Sequence, residues 1–84
     1  MNREDAVFQI AYRAGIGHYE IGYDETLSES ERQENLSSAT VRFEEALESG
    51  GMPNEEDVFD CRTRLGNNIV DAARAEGSAK NGLL

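Results

Sequence analysis

Apolar residues recur at spacings of three and four along the first part of the chain. One stripe consists of Val7, Ile10, Ala11, Ala14, His18 and Ile21. A second stripe beside it consists of Phe8, Tyr12, Gly15 and Tyr19. This spacing is typical of one side of an amphipathic helix, and it predicts a continuous helix over residues 3–23. The two stripes together make an apolar face wider than one neighbouring helix would cover. Glycines inside a helix are unfavourable, so Gly15, Gly17 and Gly22 indicate close packing against another helix, or a break near Gly15 to Gly17.

Two further helices are predicted from capping residues and from the same spacing. Ser28 followed by Glu31 is a capping-box pattern, and Gly50-Gly51 can supply the left-handed residue that closes a helix. These residues predict a second helix over 28–49. Asn54 followed by three acids suits a helix N-terminus, which predicts a third helix over 54–76 with Gly77 just past its end. The apolar positions expected to be buried are Leu36, Ala39, Thr40, Phe43, Ala46 and Leu47 in the second helix, and Val58, Cys61, Leu65, Ile69, Ala72 and Ala73 in the third, with Phe59 flanking them.

The fold class that follows is all-α. No stretch alternates polar and apolar residues over more than four positions, and β-branched residues are scarce, so no strand is predicted. The short link between helices 28–49 and 54–76 predicts an antiparallel helical hairpin, against which helix 3–23 packs as a three-helix unit. We expect residues 1–77 to form a single domain and residues 78–84 to form a flexible tail.

The second predicted helix resembles the second helix of a tetratricopeptide repeat. The residues that carry the resemblance are Ala39, Phe43, Ala46 and Pro53, with similar pieces at Leu65-Gly66 and Gly17-His18-Tyr19-Glu20. Pro53 and Leu65-Gly66 fall later than the family's pattern places them, and residues 23–34 would be an insertion between its helices. The resemblance implies a protein-binding groove lined by the first helix, including Tyr12, Arg13 and Tyr19. It also implies association with a partner or with a second copy, because fewer than three repeats rarely stand alone.

Charge is unevenly distributed along the chain. The formal net charge is −9, and residues 24–60 contain twelve acids against Arg32 and Arg42. A negative field repels phosphate backbones and attracts basic protein surfaces, so direct nucleic-acid binding is not expected. No apolar run approaches the length of a membrane span, and the first residues do not resemble a secretory signal. With Cys61 as the single cysteine, a reducing compartment fits, and we expect a cytoplasmic protein.

Residues suited to catalysis or to metal binding are few. His18 lies on a predicted buried stripe and Cys61 on another, and both suit structural roles better than catalytic ones. The acid-rich run over residues 54–60 lacks the regular oxygen spacing and the turn glycine of a calcium loop, so a helix start is the better interpretation. We therefore expect no enzyme activity, no cofactor and no metal.

Two functions remain open. The first is a protein-interaction module or small adaptor, with a homodimer as one form, whose wide aromatic face meets a partner unless those aromatic residues fill the internal core. The residues of that face are Phe8, Tyr12, Tyr19 and Tyr23. The alternative is an acidic inhibitor, of the kind that phages and mobile elements encode, that mimics nucleic-acid charge or blocks a basic surface of a nucleic-acid-handling or defence complex. Its contact residues would be Glu44, Glu45, Glu48, Glu55, Glu56, Asp57 and Asp60.

Overall fold

Three α-helices account for the fold of the residues that the structure describes. A computed structural model describes the backbone of residues 2–80, with α1 at Arg3–Gly22, α2 at Glu29–Glu48 and α3 at Glu55–Lys80. The predicted all-α class is confirmed, as are the three helices in their predicted order. The predicted end of the third helix is wrong, because α3 continues through Gly77 to Lys80. Residues 78–80 of the predicted tail therefore belong to α3, and residues 81–84 lie outside the described part of the chain.

Each helix begins at a side chain that accepts a hydrogen bond from the first turn. The backbone N–H of Asp5 donates to Asn2 Oδ1 at 2.7 Å. Ser28 caps α2 at the predicted position, since its Oγ accepts from the backbone N–H of Glu31 at 3.2 Å. A cap of this kind contributes about 1 kcal/mol to helix stability. Beyond the end of α2, Gly50 adopts a left-handed conformation with φ of 77°, as its sequence position predicts.

The core is centred on aromatic rings from α1 and α2. Phe8 and Phe43 are fully buried, as is Cys61 of α3. The other buried apolar residues are Ala11, Tyr12, Ala39, Ala46 and Val58. Ile16, Tyr19, Leu47 and Leu65 pack against this cluster with part of their surface exposed. All three helices thus contribute to one core.

Helices α1 and α2 form the most closely packed pair because α1 carries glycines where α2 carries large side chains. A Cβ atom at Gly15 would lie 2.5 Å from the Phe43 ring, and one at Gly22 would lie 2.3 Å from Leu36. Gly15 and Gly22 are seven residues apart, as are Phe43 and Leu36, so the same contact repeats one heptad along an antiparallel pair. The prediction of close helix packing is confirmed for Gly15 and Gly22 but not for Gly17, where a Cβ atom would meet nothing within 4 Å. Helix α1 is continuous.

The stripe of α1 that faces the core is the second one, not the first. Phe8, Tyr12 and Gly15 are buried, whereas Val7 and Ile10 of the first stripe are exposed. The expectation that both stripes are covered is wrong for the first stripe, apart from Ala11 and the half-buried His18. The bulkier second stripe fills the space between α2 and α3, which leaves the first stripe on the outside.

Candidate protein-binding surface

The predicted aromatic face is mostly internal. Phe8 has no exposed surface and Tyr12 retains 7%, with their rings stacked at a centroid distance of 5.5 Å. Tyr19 is half-buried, and Tyr23 is 41% exposed. This corrects the expectation that Phe8 and Tyr12 are available to a partner. The groove implied by the tetratricopeptide resemblance is likewise closed at Tyr12.

Tyrosines of α1 and of its C-cap reach α3 through a series of polar contacts, here called the polar ladder. The phenol of Tyr12 donates to Asp60 Oδ2 at 2.6 Å, and that of Tyr23 donates to Asp71 Oδ2. The remaining rungs are Gln9 Nε2 donating to Asp57 Oδ2 at 3.2 Å and Asn67 Nδ2 donating to the Tyr19 phenol oxygen at 3.3 Å. In every rung the two residues are 48 positions apart. A constant offset means that α1 and α3 run parallel in fixed axial register.

Burial and charge both act on the ladder tyrosines. The pKa of Tyr12 lies well above its ordinary value of 10.0, because burial disfavours the phenolate and because Asp60 accepts its proton in a hydrogen bond. The pKa of Tyr23 is raised for the same reasons, with Asp71 as the acceptor. Arg64 donates from Nε to Asp60 Oδ2 at 2.8 Å and lies over the Tyr19 ring. Asp60 thus accepts one hydrogen bond from Tyr12 of α1 and one from Arg64 of its own helix.

We expect alkaline pH to destabilise the fold through Tyr12. The folded chain keeps a phenol proton that the unfolded chain releases above pH 10, so this contribution is complete below that pH and is lost as pH rises towards the folded-state pKa. The free energy of unfolding should fall by up to about 1.4 kcal/mol per pH unit from this residue. Urea unfolding at pH 8, 10 and 11 checks it. In Tyr12→Phe the fall should be shallower; equal slopes in the two proteins would contradict the assignment.

The predicted acidic face is divided among three environments. Asp57 and Asp60 are turned towards α1 in the polar ladder. Glu45 accepts from Arg42 Nη2 at 2.7 Å. The exposed remainder of the predicted set consists of Glu44, Glu48, Glu55 and Glu56. Asp57 and Asp60 are thus half-buried and bonded to α1, which the sequence pattern did not indicate, whereas the other five acids of the predicted set are exposed.

His18 and Cys61 occupy structural positions in different contacts. His18 Nδ1 lies 2.9 Å from Asn35 Oδ1, on the α1–α2 side. Cys61 is buried, and its thiol donates to the backbone oxygen of Phe43 at 3.6 Å. Burial, followed by the charge of Asp60, raises the pKa of the Cys61 thiol to about 11, which disfavours the nucleophilic thiolate. These contacts give both residues a structural role that does not depend on catalysis.

An exposed apolar stripe on α1 is one surface that the core does not use. We call it the outer stripe and define it as Val7, Ile10, Ala14, Gly17 and Ile21. Ile10 is 73% exposed, and Val7 and Ile21 are exposed by 43% and 42%. Between the outer stripe and α2 runs a shallow depression bordered by Arg42 and Glu45. The spacing of these residues was visible in the sequence, but it predicted a buried face.

A second exposed apolar patch lies at the α2–α3 turn. Phe59 is 72% exposed and Met52 is 62% exposed, and the two border a depression together with Val58 and Arg62. The sequence placed Phe59 only beside the buried stripe, so this patch was not anticipated. An exposed aromatic residue is a common contact at protein interfaces. The patch is shorter than the outer stripe and is interrupted by the charged Arg62.

Metal-binding clusters and membrane-spanning helices are both absent from the described part of the chain. Among the described side chains, no group of three or more His, Cys, Asp or Glu is placed to hold a metal ion. None of the three helices, over the residues described, is long and apolar enough to cross a membrane. No protein-family model, no curated protein and no solved structure matches this chain. The tetratricopeptide resemblance therefore stays a prediction.

Proposed function

We propose that this protein is a non-enzymatic interaction module that associates with a second copy of itself through the outer stripe, and that it acts in a cytoplasm. The observation that supports the proposal is the exposure of Ile10, which retains 73% of its surface in the middle of an apolar row. Apolar surface exposed in a row is unfavourable in water, and burying it is the main driving force of protein association.

The completeness of the core adds to this argument. Phe8 and Phe43 are already fully buried without any contribution from Val7 or Ile10. The outer stripe is therefore not needed to close the three-helix unit. Its side chains keep helical spacing along one side of α1, which suits docking against another helix. We therefore keep the interaction function as a proposal and place its contact surface at the outer stripe instead of at the aromatic residues.

The test is the solution mass of the wild-type protein, measured by light scattering over a range of concentrations at low and high salt. We expect a dimer that persists at high salt, because its contact is mainly apolar. Val7→Glu should weaken it by at least tenfold, since a carboxylate would be buried in the contact. The matched control is Val41→Glu, which places the same charge at a valine of α2 that is 47% exposed and does not line the depression beside the outer stripe.

Two results would contradict the proposal. One is a wild-type protein that stays monomeric throughout the concentration range. The other is a dimer that Val7→Glu and Val41→Glu weaken equally, because the contact would then lie elsewhere. Circular dichroism of both variants shows whether a loss of mass comes from unfolding.

The acidic-inhibitor alternative is supported by the exposed carboxylates of Glu44, Glu48, Glu55 and Glu56. The C-terminal part of α2 and the first turn of α3 bring them to the same end of the three-helix unit. Such an end would attract a basic partner surface, for example that of a nucleic-acid-handling protein. Charge reversal at these four residues would abolish binding by this route, whereas Val7→Glu would leave it intact.

A further inference from the structure

The outer stripe has the geometry of a helix-pairing seam. Its residues, from Val7 to Ile21, follow one another at alternating intervals of three and four. That interval pattern is the heptad repeat with which two helices pack along each other. The fourteen residue steps from Val7 to Ile21 correspond to a seam about 21 Å long. The seam is therefore long enough for several successive contacts with a second helix.

Gly17 lies in this seam, and close packing within the three-helix unit does not explain why a glycine stands there. A Cβ atom at Gly17 would meet nothing within 4 Å, whereas Cβ atoms at Gly15 and Gly22 would overlap Phe43 and Leu36. Glycine is unfavourable inside a helix, and internal packing does not account for this one. Gly17 and Ala14 have the smallest side chains of the seam, and they lie next to each other at its centre. Small residues at a low point allow the backbone of another helix to come close.

The charged residues that border the seam have a net charge of zero, although the chain as a whole is strongly acidic. Arg13 and Glu20 are exposed on the flank away from α2. On the other flank, Arg42 and Glu45 are paired at 2.7 Å. The four charges cancel, although the whole chain carries −9. Two copies of the protein can therefore approach along this side with less repulsion than an average side would give.

We propose that the occupant of the outer stripe is α1 of a second copy, docked antiparallel about a two-fold axis that passes between Ala14 and Gly17. This proposal rests on the self-association proposed above and specifies its geometry. In this arrangement Ile10 of each copy lies opposite Ile21 of the other, and Ala14 lies opposite Gly17. A two-fold contact of this kind is closed and self-complementary.

The flanking charges select the antiparallel direction. Arg13 and Glu20 are one heptad apart on the same flank, so the two-fold axis brings Arg13 of each copy to Glu20 of the other. Both opposite-charge pairs form at once. A parallel arrangement would instead place Glu20 near the acidic Asp24-Glu25 segment of the second copy. Like charges at that distance oppose pairing and thereby specify orientation.

Charge-swapped variants test this geometry by mixing. Arg13→Glu alone and Glu20→Arg alone each create two like-charge contacts in a homodimer, and each should raise the dissociation constant by about tenfold. A one-to-one mixture of the two variants forms heterodimers in which both contacts join opposite charges. The mixture should therefore associate about as tightly as wild type. Sedimentation equilibrium of each variant and of the mixture, at low salt, gives the constants.

The controls carry the same change of net charge on another side of the molecule. They are Arg62→Glu and Glu44→Arg, which lie on exposed positions away from the outer stripe. Each should leave the dissociation constant within about threefold of wild type, as surface charges outside a contact do. An equal weakening by the controls would show that net charge, not the pairing of Arg13 with Glu20, governs association, and would overturn the proposal.

The possible failures separate the geometry from the function. If wild type dimerises and Val7→Glu disrupts the dimer, but the mixture stays as weak as the single variants, the antiparallel geometry is wrong and the proposed function stands. If wild type is monomeric, both are wrong. Recovery of association in the mixture supports both.

Discussion

Phe43→Ala is expected to lower the free energy of unfolding by about 3–5 kcal/mol, the usual cost of removing a buried aromatic ring. The ring is fully buried and contacts α1 directly, seated on Gly15, with Tyr12 and Tyr19 at centroid distances of 6.4 and 6.1 Å. Its removal leaves a cavity that the surrounding helices can only partly fill. Urea unfolding followed by circular dichroism measures the loss.

The control for this prediction is Val41→Ala, two residues away on the same helix. Val41 is 47% exposed, so its truncation should change the free energy of unfolding by no more than about 0.5 kcal/mol. For a domain of this size, whose total stability is on the order of 5 kcal/mol, Phe43→Ala should leave a large unfolded fraction. Similar small losses in both variants would mean that the helices do not pack around this ring.

Gly51→Ala is expected to lower the free energy of unfolding by about 2–3 kcal/mol through a backbone overlap. A Cβ atom at Gly51 would lie 2.2 Å from the backbone oxygen of Glu4, which cannot move aside as a flexible side chain can. The first turn of α1 would have to shift. That shift would also strain the hydrogen bond at 2.9 Å from the backbone N–H of Met52 to Asp5 Oδ1.

Gly66→Ala is the matched control, with the opposite expected sign. A Cβ atom at Gly66 meets nothing within 4 Å, and the residue lies inside α3. Alanine favours the helix over glycine, so the free energy of unfolding should rise by about 0.5–1 kcal/mol. Thermal unfolding of the two variants beside wild type measures both changes. If Gly51→Ala and Gly66→Ala changed the free energy of unfolding equally, the α2–α3 turn would not be held against α1.

The helices were predictable because their signals are local. Ser28 and Asn54 mark helix starts through side chains that bond within the next turn, and Gly50 marks an end through its own backbone. The continuation of α3 through Gly77 was not predictable in this way. A glycine within a helix and a glycine just past its end look alike in sequence, because the difference lies in the backbone angle alone.

The assignment of the two α1 stripes was not predictable because it depends on distant residues. Both stripes have helical spacing, and spacing alone does not say which stripe meets the other helices. The deciding fact is that Phe43 fits against Gly15, which places the stripe of Tyr12 inside and that of Ile10 outside. The same holds for Asp57 and Asp60, whose partners lie 48 positions earlier in the chain.

The polar ladder also constrains how this sequence can change over evolution. Because Tyr12 meets Asp60 and Tyr23 meets Asp71 at one common offset, related chains should change at both members of a rung together. A residue inserted in either interhelical turn would raise the offset to the same new value at every rung, and the contacts could survive. A residue inserted within α1 would shift only the rungs on one side of it. Lengthening of the turns is therefore far more readily tolerated than lengthening of the helices.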